Sequence, residues 1–245
     1  MANRLLDRQV SLLEYLTSGA AIFGKDGGGP LGQALHGIDR GLLGLEARFS
    51  YEKRMDKVLA IFPRTFDMLG GIDAAVAREF AEACPPTSIT RLDNARQFYN
   101  FVSARWQREP PTPPYLPDVA ACELACAAAR AGAEQRPELA EPRQMSVQDG
   151  IRRRPGVVLL RCAYDIRPIF EQALPAAAPS EHDTPLAVVI PPGADQPRVF
   201  ELRPVVFDLL ATLDDWTDPA EFGATPELKE LIDDLAEHGL IEVRR

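Results

Sequence analysis

Hydrophobic positions in the first half of the chain recur at the spacing of an α-helix. Met55, Val58, Leu59 and Phe62 stand at positions i, i+3, i+4 and i+7, which places them along one face. Comparable stripes occur in the segments 3–16, 73–84, 92–106 and 118–133. Five or six helices of this length predict an all-helical bundle over residues 1–133.

Beyond residue 154 the hydrophobic pattern changes to that of strands. Runs rich in β-branched residues at 156–166, 185–190 and 198–203 predict three strands, and the last of them alternates. Start signals at Pro204, Asp218 and Thr225 then predict three short helices, and 240–243 is again extended. This order is that of a winged helix, βββααα, over residues 155–245. The segment 134–154 is polar and rich in Pro, Gln and Arg, which is typical of a linker. We therefore predict an α+β protein of two domains.

The charge of the C-terminal segment argues against the commonest use of a winged helix. Residues 184–245 carry 5 Lys and Arg against 13 Asp and Glu, and this segment holds most of the net charge of −9. Within 226–238, the helix that would enter DNA, Lys229 is the single base beside the acids Glu227, Glu230, Asp233, Asp234 and Glu237. A phosphate backbone would repel this helix. The same architecture also holds peptides against an edge strand and a helix, and that use fits an acidic domain better.

The composition is that of an ordinary soluble globular protein, with 46% hydrophobic and 26% charged residues. No apolar run approaches the roughly 18 residues of a membrane span. The first 16 residues alternate charges with leucines as in an amphipathic helix, unlike a signal peptide. The four cysteines form no Cys-x-x-Cys pair. A cytoplasmic location, without membrane or nucleic-acid partners, is therefore expected.

The sequence offers little support for catalysis. His36, His182 and His238 lie far apart, and none has a second ligand at metal-binding spacing. Cys122 and Cys126 share a helix face at i, i+4, where metal ligation and packing between alanines are both open, and packing is favoured. We expect neither a catalytic residue nor a metal or cofactor in this chain.

Other candidate features have structural explanations of equal or greater weight. Asp165, Glu171, Asp214 and Asp215 include potential acid–base pairs, but solvated carboxylates are the default. The glycine-rich segment 24–32 lacks the Lys-Ser/Thr ending of a phosphate loop, so a connector is favoured. The cluster at 152–154 consists of three arginines, which either are solvated or dock against an acidic surface.

Four ordered segments resemble a known family. They read FSYEKRMDKVLAIFPRTFDMLGG at 49–71, AREFAEACPPTS at 77–88, FYNFV at 98–102 and PPYLPDVAACELA at 113–125. This set is similar to the partner proteins of multinuclear non-haem iron-dependent oxidative enzymes, which modify ribosomally made peptides. The resemblance continues through 155–174 and the final segment, and it is weakest in the first 45 residues.

The last of these motifs is the most specific. Family members usually have Pro-Tyr-Leu-Pro-Asp followed, after a gap, by an acidic residue and Trp. This chain matches the pattern at Tyr115, Leu116, Pro117, Asp118 and Glu123. It departs at Leu124, where Trp is common, and at Cys84, where His is frequent. The departures place it in a divergent branch, near the methanobactin or thia-amino-acid pathways.

The resemblance implies a non-catalytic subunit that binds an iron-dependent oxidase as a heterodimer, with the iron held by the enzyme. It also implies that the C-terminal domain, similar to a PqqD-type peptide recognition element, holds the leader of a precursor peptide. The motif from Tyr115 to Glu123 is then a candidate for enzyme docking, and closure of the bundle is the alternative.

The expected peptide site combines an edge strand and a neighbouring helix. In this hypothesis the leader adds as a strand along the edge, and its apolar side chains enter the cleft beside the last helix. The predicted binding residues are Arg198, Val199, Phe200, Glu201, Leu202, Arg203, Leu228, Leu231, Ile232 and Leu235. The alternatives are a winged-helix regulator that binds operator DNA and an enzyme in its own right.

Overall fold

The chain divides into two compact units. The computed structural model describes residues 2–24, 37–134, 150–171, 178–223 and 225–244, with the backbone alone for residues 2–4 and 20. Unit 1 comprises Met1–Pro113 and unit 2 comprises Pro114–Arg245. The described part of unit 1 contains only helices, and the strands follow in unit 2, so the predicted α+β class is confirmed.

Unit 1 is built from six α-helices in its described part, with a 3-10 turn at Gly70–Ile72. They are α1 (Ala2–Thr17), α2 (Gly19–Ile22), α3 (Arg40–Leu59), α4 (Pro63–Leu69), α5 (Asp73–Ala83) and α6 (Arg91–Arg108). Polar side chains fix several of the starts. Asp39 accepts hydrogen bonds from the N–H groups of Gly41 and Leu42, and Thr90 accepts one from that of Asp93. These are the residue types that satisfy the open N–H groups of a first turn.

Aromatic packing forms the centre of unit 1. The ring of Phe98 on α6 lies 5.2 Å from that of Phe62, 5.2 Å from that of Phe66 and 5.3 Å from that of Phe80. Phe62, Phe80 and Phe98 are fully buried. Each ring therefore contributes most of its apolar surface to the core.

The described part of unit 2 combines helices with two antiparallel sheets. Its elements are α7 (Leu116–Glu134), β1 (Gly150–Arg153), β2 (Val158–Tyr164), α8 (Arg167–Glu171), β3 (Glu181–Val189), β4 (Arg198–Glu201), α9 (Pro204–Thr212), a 3-10 turn (Pro219–Phe222), α10 (Pro226–Glu237) and β5 (Ile241–Arg244). Strands β2, β3 and β4 form one sheet in that order, and β1 pairs with β5 in the other. The final strand therefore does not join the sheet of the three predicted strands.

The three-stranded sheet has buried side chains on both faces. Ala187 and Val189 of β3 belong to a hydrophobic core with residues of α9 and α10. Leu186 and Val188, which alternate with them, are also fully buried. Helix α7 packs against β2 and β3. The near-continuous hydrophobic run of β3 follows from its coverage on two sides.

The structure corrects the predicted linker at 134–154 and the predicted end of the bundle at residue 133. Residues 135–149 lie outside the described part of the chain, but Gly150–Arg153 forms β1, paired with β5 from Gly150 opposite Arg244 to Arg153 opposite Ile241. The alanine-rich helix assigned to the bundle instead belongs to unit 2, so the division falls after Pro113. A Cβ atom on Gly132 would lie 2.7 Å from the Cα of Gly156, so α7 touches the turn before β2.

In the described ranges, no helix is both long and apolar enough to cross a membrane.

Candidate functional site

Strand β4 is an edge strand whose outer side has no strand partner among the described residues. It pairs with β3 in the register Leu186 opposite Glu201 and Val189 opposite Arg198. The N–H of Leu202 donates to the carbonyl of Pro185 at 2.9 Å, which continues the pairing by one residue. The segment predicted to add a peptide is thus the exposed edge of a sheet.

The pairing determines which main-chain groups of β4 point outward. In an antiparallel ladder, every second residue directs both its N–H and its C=O to the same neighbour. Leu202 bonds to β3, so Phe200 also faces β3. Val199 and Glu201 therefore direct their N–H and C=O groups to the outer edge. No strand in the described ranges pairs with these groups, which is the arrangement that can accept an added strand.

Six of the ten predicted peptide-binding residues share one hydrophobic cluster, which joins β4 to α10. Phe200, Leu228 and Leu231 are partly buried and pack against that cluster. Leu202, Ile232 and Leu235 are 8%, 1% and 3% exposed. The predicted peptide contact of these last three residues is therefore corrected, because their side chains already fill the core. The remaining four, Arg198, Val199, Glu201 and Arg203, lie on or directly after β4 outside this cluster.

An aromatic contact links the end of α10 to β4. The ring of Phe200 lies 5.6 Å from that of His238, at an interplanar angle of 83°. The Nδ1 atom of His238 lies 3.3 Å from a carboxylate oxygen of Asp234. Because Asp234 stands four residues before His238, it lies on the same side of α10 as His238.

The exposed face of α10 is acidic, as the sequence predicts. Thr225 caps the helix by accepting a hydrogen bond from the N–H of Leu228 at 3.2 Å. The carboxylates of α10 are all on exposed residues, namely Glu227, Glu230, Asp233, Asp234 and Glu237. Gly239, at φ 73°, ends the helix in a conformation that favours glycine.

The arginine cluster at 152–154 is engaged within the chain. Arg152 pairs with Glu242 at 2.7 Å, and Arg153 pairs with Asp214. Arg154 is 5% exposed and lies beside the carbonyl of Gly239. The prediction of solvated arginines is therefore wrong for Arg154, and the partners of Arg152 and Arg153 lie within unit 2.

The motif proposed for enzyme docking lies against strand β2. The ring of Tyr115 meets that of Tyr164 edge-on at 6.0 Å. Asp118 accepts a hydrogen bond from the N–H of Tyr164 at 3.0 Å. Burial raises the pKa of the Asp118 carboxyl, although backbone hydrogen bonds from Tyr164 and Ala163 oppose this shift. Leu116 is fully buried and Glu123 is 4% exposed, so the prediction that these two side chains dock to the enzyme is contradicted by their burial. Tyr115, Pro117 and Asp118 remain half-buried.

Three cysteines come together where α7 covers the sheet. A hydrogen bond with Cys126, together with burial, raises the pKa of the Cys122 thiol. The same hydrogen bond lowers the pKa of Cys126. Burial, reinforced by Asp118 and Asp165, raises the pKa of Cys162 to about 12. Cys122 and Cys162 are buried, which agrees with the packing role favoured for Cys122.

Catalytic constellations are not evident in the described residues. His182 and His238 are exposed, and His36 and residues 25–32 of the glycine-rich segment lie outside the described part of the chain. The described ranges contain no group of three or more His, Cys, Asp or Glu residues arranged to hold a metal ion. Asp165 pairs with Arg167 at 2.8 Å, and the hydrogen bond from this guanidinium lowers the pKa of the Asp165 carboxyl.

Sequence reasoning missed a buried polar network in unit 1. The guanidinium of Arg54, on a residue 8% exposed, donates to Asn94 at 2.9 Å, to the carbonyl of Cys84 at 2.7 Å and to Gln97 at 2.7 Å. It also lies 4.3 Å from the ring centroid of Phe80. One feature of the sequence could have indicated this buried network, because Arg54 directly precedes Met55, the first residue of the hydrophobic stripe.

Comparison with known proteins adds no assignment. No family model matches the chain, and no curated protein matches it significantly.

Proposed function

We propose that this chain is a non-catalytic partner subunit that holds the leader of a ribosomally made precursor peptide for an iron-dependent oxidase. Unit 2 is the peptide-recognition domain in this proposal, and its winged-helix-like part comprises β2–β4, α9, the 3-10 turn and α10. The leader adds as a strand to the outer edge of β4. Its apolar side chains contact Phe200, Leu228 and Leu231.

The observation that carries the proposal is the outward direction of the main-chain groups of Val199 and Glu201. An edge strand with unpaired N–H and C=O groups is a ready template for an added strand. Here the edge is bordered by half-buried apolar side chains, so affinity from the main chain can be combined with selectivity from side chains. An uncovered edge strand can pair with the wrong chain, so its presence favours a function in which a peptide partner binds there.

The acidic face of α10 favours this function over DNA binding. Its exposed carboxylates would face the phosphates of a duplex if the helix entered a groove. The run of three arginines at 152–154 already contacts groups within unit 2. A transcriptional regulator therefore remains the weaker alternative.

The partner enzyme is supported by the resemblance of the segments at 49–71, 77–88, 98–102 and 113–125. Docking through the half-buried ring of Tyr115 stays part of the proposal, because Leu116 and Glu123 are too buried to contribute. The iron and the chemistry belong to the enzyme.

Titration of the full chain with candidate precursor peptides from its own genome tests the proposal. The leader half of the precursor should bind and should compete fully with the intact precursor, whereas double-stranded DNA should not displace it at physiological salt. Sequence-specific binding of DNA, or the absence of any precursor binding, would overturn the peptide-recognition function.

A further inference from the structure

Helix α10 presents one acidic stripe towards β4. Glu227, Leu231, Asp234 and His238 are separated by four, three and four residues, so they lie on a single side of the helix axis. His238, at the end of this stripe, contacts Phe200 of β4. The stripe therefore borders the cleft, and two of its members are carboxylates.

The single lysine of α10 lies on the other side of the helix. Lys229 and Asp233 each stand two residues from Leu231, and at about 100° per residue they point away from the stripe. In the described ranges Glu227 forms no ion pair with Lys or Arg, and the carboxylate of Asp234 has the Nδ1 atom of His238 beside it at 3.3 Å. Arg198 and Arg203 stand at the two ends of the edge segment, outside the stripe. The helix side of the cleft thus keeps a negative field that Lys229 does not neutralise.

We infer that the peptide bound along β4 carries Lys or Arg side chains towards α10, alternating with apolar ones. This inference rests on the proposed function and specifies the chemistry of the peptide. Successive side chains of a strand point to opposite faces, so every second residue of an added strand lies on the face that α10 covers. Apolar residues among these meet Phe200 and Leu231.

Basic side chains suit this position because of their length as well as their charge. A Lys or Arg side chain can lay its apolar stem over Leu231 while its charged end reaches Glu227 or Asp234. An acidic side chain at the same position would be repelled. The cleft therefore selects peptides with apolar and basic residues two positions apart.

Charge-neutral variants of matched size test the inference. Glu227→Gln and Asp234→Asn should each weaken binding of the precursor leader by about two- to fivefold at low salt, because exposed ion pairs contribute little individually. Asp233→Asn removes the same charge from the far side of α10 and should change affinity by less than about twofold. Raising the salt concentration should reduce the differences between these proteins. Thermal melting of each variant controls for folding.

Replacement of the leader's Lys and Arg residues by Gln provides the reciprocal test. This leader should bind wild-type chain several-fold more weakly, and its affinity should no longer respond to Glu227→Gln. If the natural leader binds but Glu227→Gln, Asp234→Asn and Asp233→Asn are equivalent, the inference is wrong while the proposed function stands. The same holds if the natural leader binds and contains no basic residue. If no leader binds at all, both fall together.

Discussion

The imidazole ring of His238 meets the ring of Phe200 edge-on, with centroids 5.6 Å apart. Phe200 belongs to β4 and His238 directly follows α10, so the contact joins the two elements between which we place the peptide. A cleft whose walls are joined at one end needs little ordering when a ligand enters. Pre-organisation of this kind saves part of the free energy that binding otherwise loses to entropy.

The packing of α7 within unit 2 predicts that Gly132 does not tolerate a larger side chain. Gly132→Ala should destabilise the chain by about 1–3 kcal/mol, because the new methyl group would lie 2.7 Å from the Cα of Gly156 and the two backbones would have to separate. Chemical denaturation measures the change. Gly44→Ala in α3 is the matched control, since no atom lies within 4 Å of its added Cβ. That variant should gain about 0.5–1 kcal/mol from the higher helix propensity of alanine. Equal effects at the two positions would contradict the packing of α7.

The sequence predicted most elements but not their pairing. The stripes of apolar residues located helices such as Arg91–Arg108, and strands β2 and β4 fall within the predicted runs. Strand β3 begins at Glu181, before the start of its predicted run at 185–190. Helix α7 was placed in the wrong unit because its alanine-rich surface packs equally well on helices or on a sheet. Strand β1 was missed because GIRR is a polar edge sequence, and its pairing with β5 joins residues that are 88 to 94 positions apart in sequence.

The candidate site was predicted in outline. The acidic surface of α10 and the exposed edge were visible from charge and strand order. The sequence did not show which leucines line the cleft. Leu228, Leu231 and Leu235 share one stripe, and only tertiary packing leaves Leu228 and Leu231 half-buried while it buries Leu235. The role of His238 depends on a contact with Phe200, which no local pattern encodes.

Variants of Tyr115 separate docking from folding. Tyr115→Ala should lower stability by about 1–2 kcal/mol through loss of the edge-on contact with Tyr164, whereas Tyr115→Phe should retain that contact. Melting curves and binding to the iron enzyme should be measured on the same samples. If docking is correct, Tyr115→Ala binds the enzyme more weakly even after correction for its folded fraction. Normal corrected binding would assign the residue to the packing of unit 2 alone.

The cysteines should differ in reactivity according to their pKa values. In native chain treated with iodoacetamide near pH 7.5, Cys126 should react before Cys122 and Cys162, because its pKa is lowered and the pKa values of the other two are raised. Peptide mass spectrometry gives the order. Modification of Cys122 or Cys162 as fast as Cys126 would contradict the packing of α7 on the sheet.

The thiol of Cys162 also predicts a loss of stability in alkali. Its folded-state pKa of about 12 lies above the ordinary value of 9.0, so the protonated thiol favours the folded chain. This contribution is fully present below pH 9 and is lost as the pH rises towards 12. Cys162→Ala should therefore lose less stability than wild type between pH 9 and 12, as measured by denaturation at each pH. Parallel loss in both proteins would show that the thiol is not the cause.

Pairing of a peptide with the outer edge of β4 is the central claim, and Val199 tests it most directly. Val199→Pro removes an outward N–H and leaves the bonds to β3 in place, as an edge strand tolerates. Leu202→Pro is unsuitable because it would remove the bond to Pro185. Val199→Ala, which keeps the N–H, is the control for the lost side chain.

The decisive measurement is calorimetric titration of the precursor leader into folded wild-type, Val199→Pro and Val199→Ala chains. We predict an affinity at least about tenfold weaker for Val199→Pro, because a main-chain hydrogen bond is lost and the proline ring blocks the edge. Val199→Ala should stay within about threefold of wild type. Unchanged leader affinity in a folded Val199→Pro chain would contradict peptide pairing along β4.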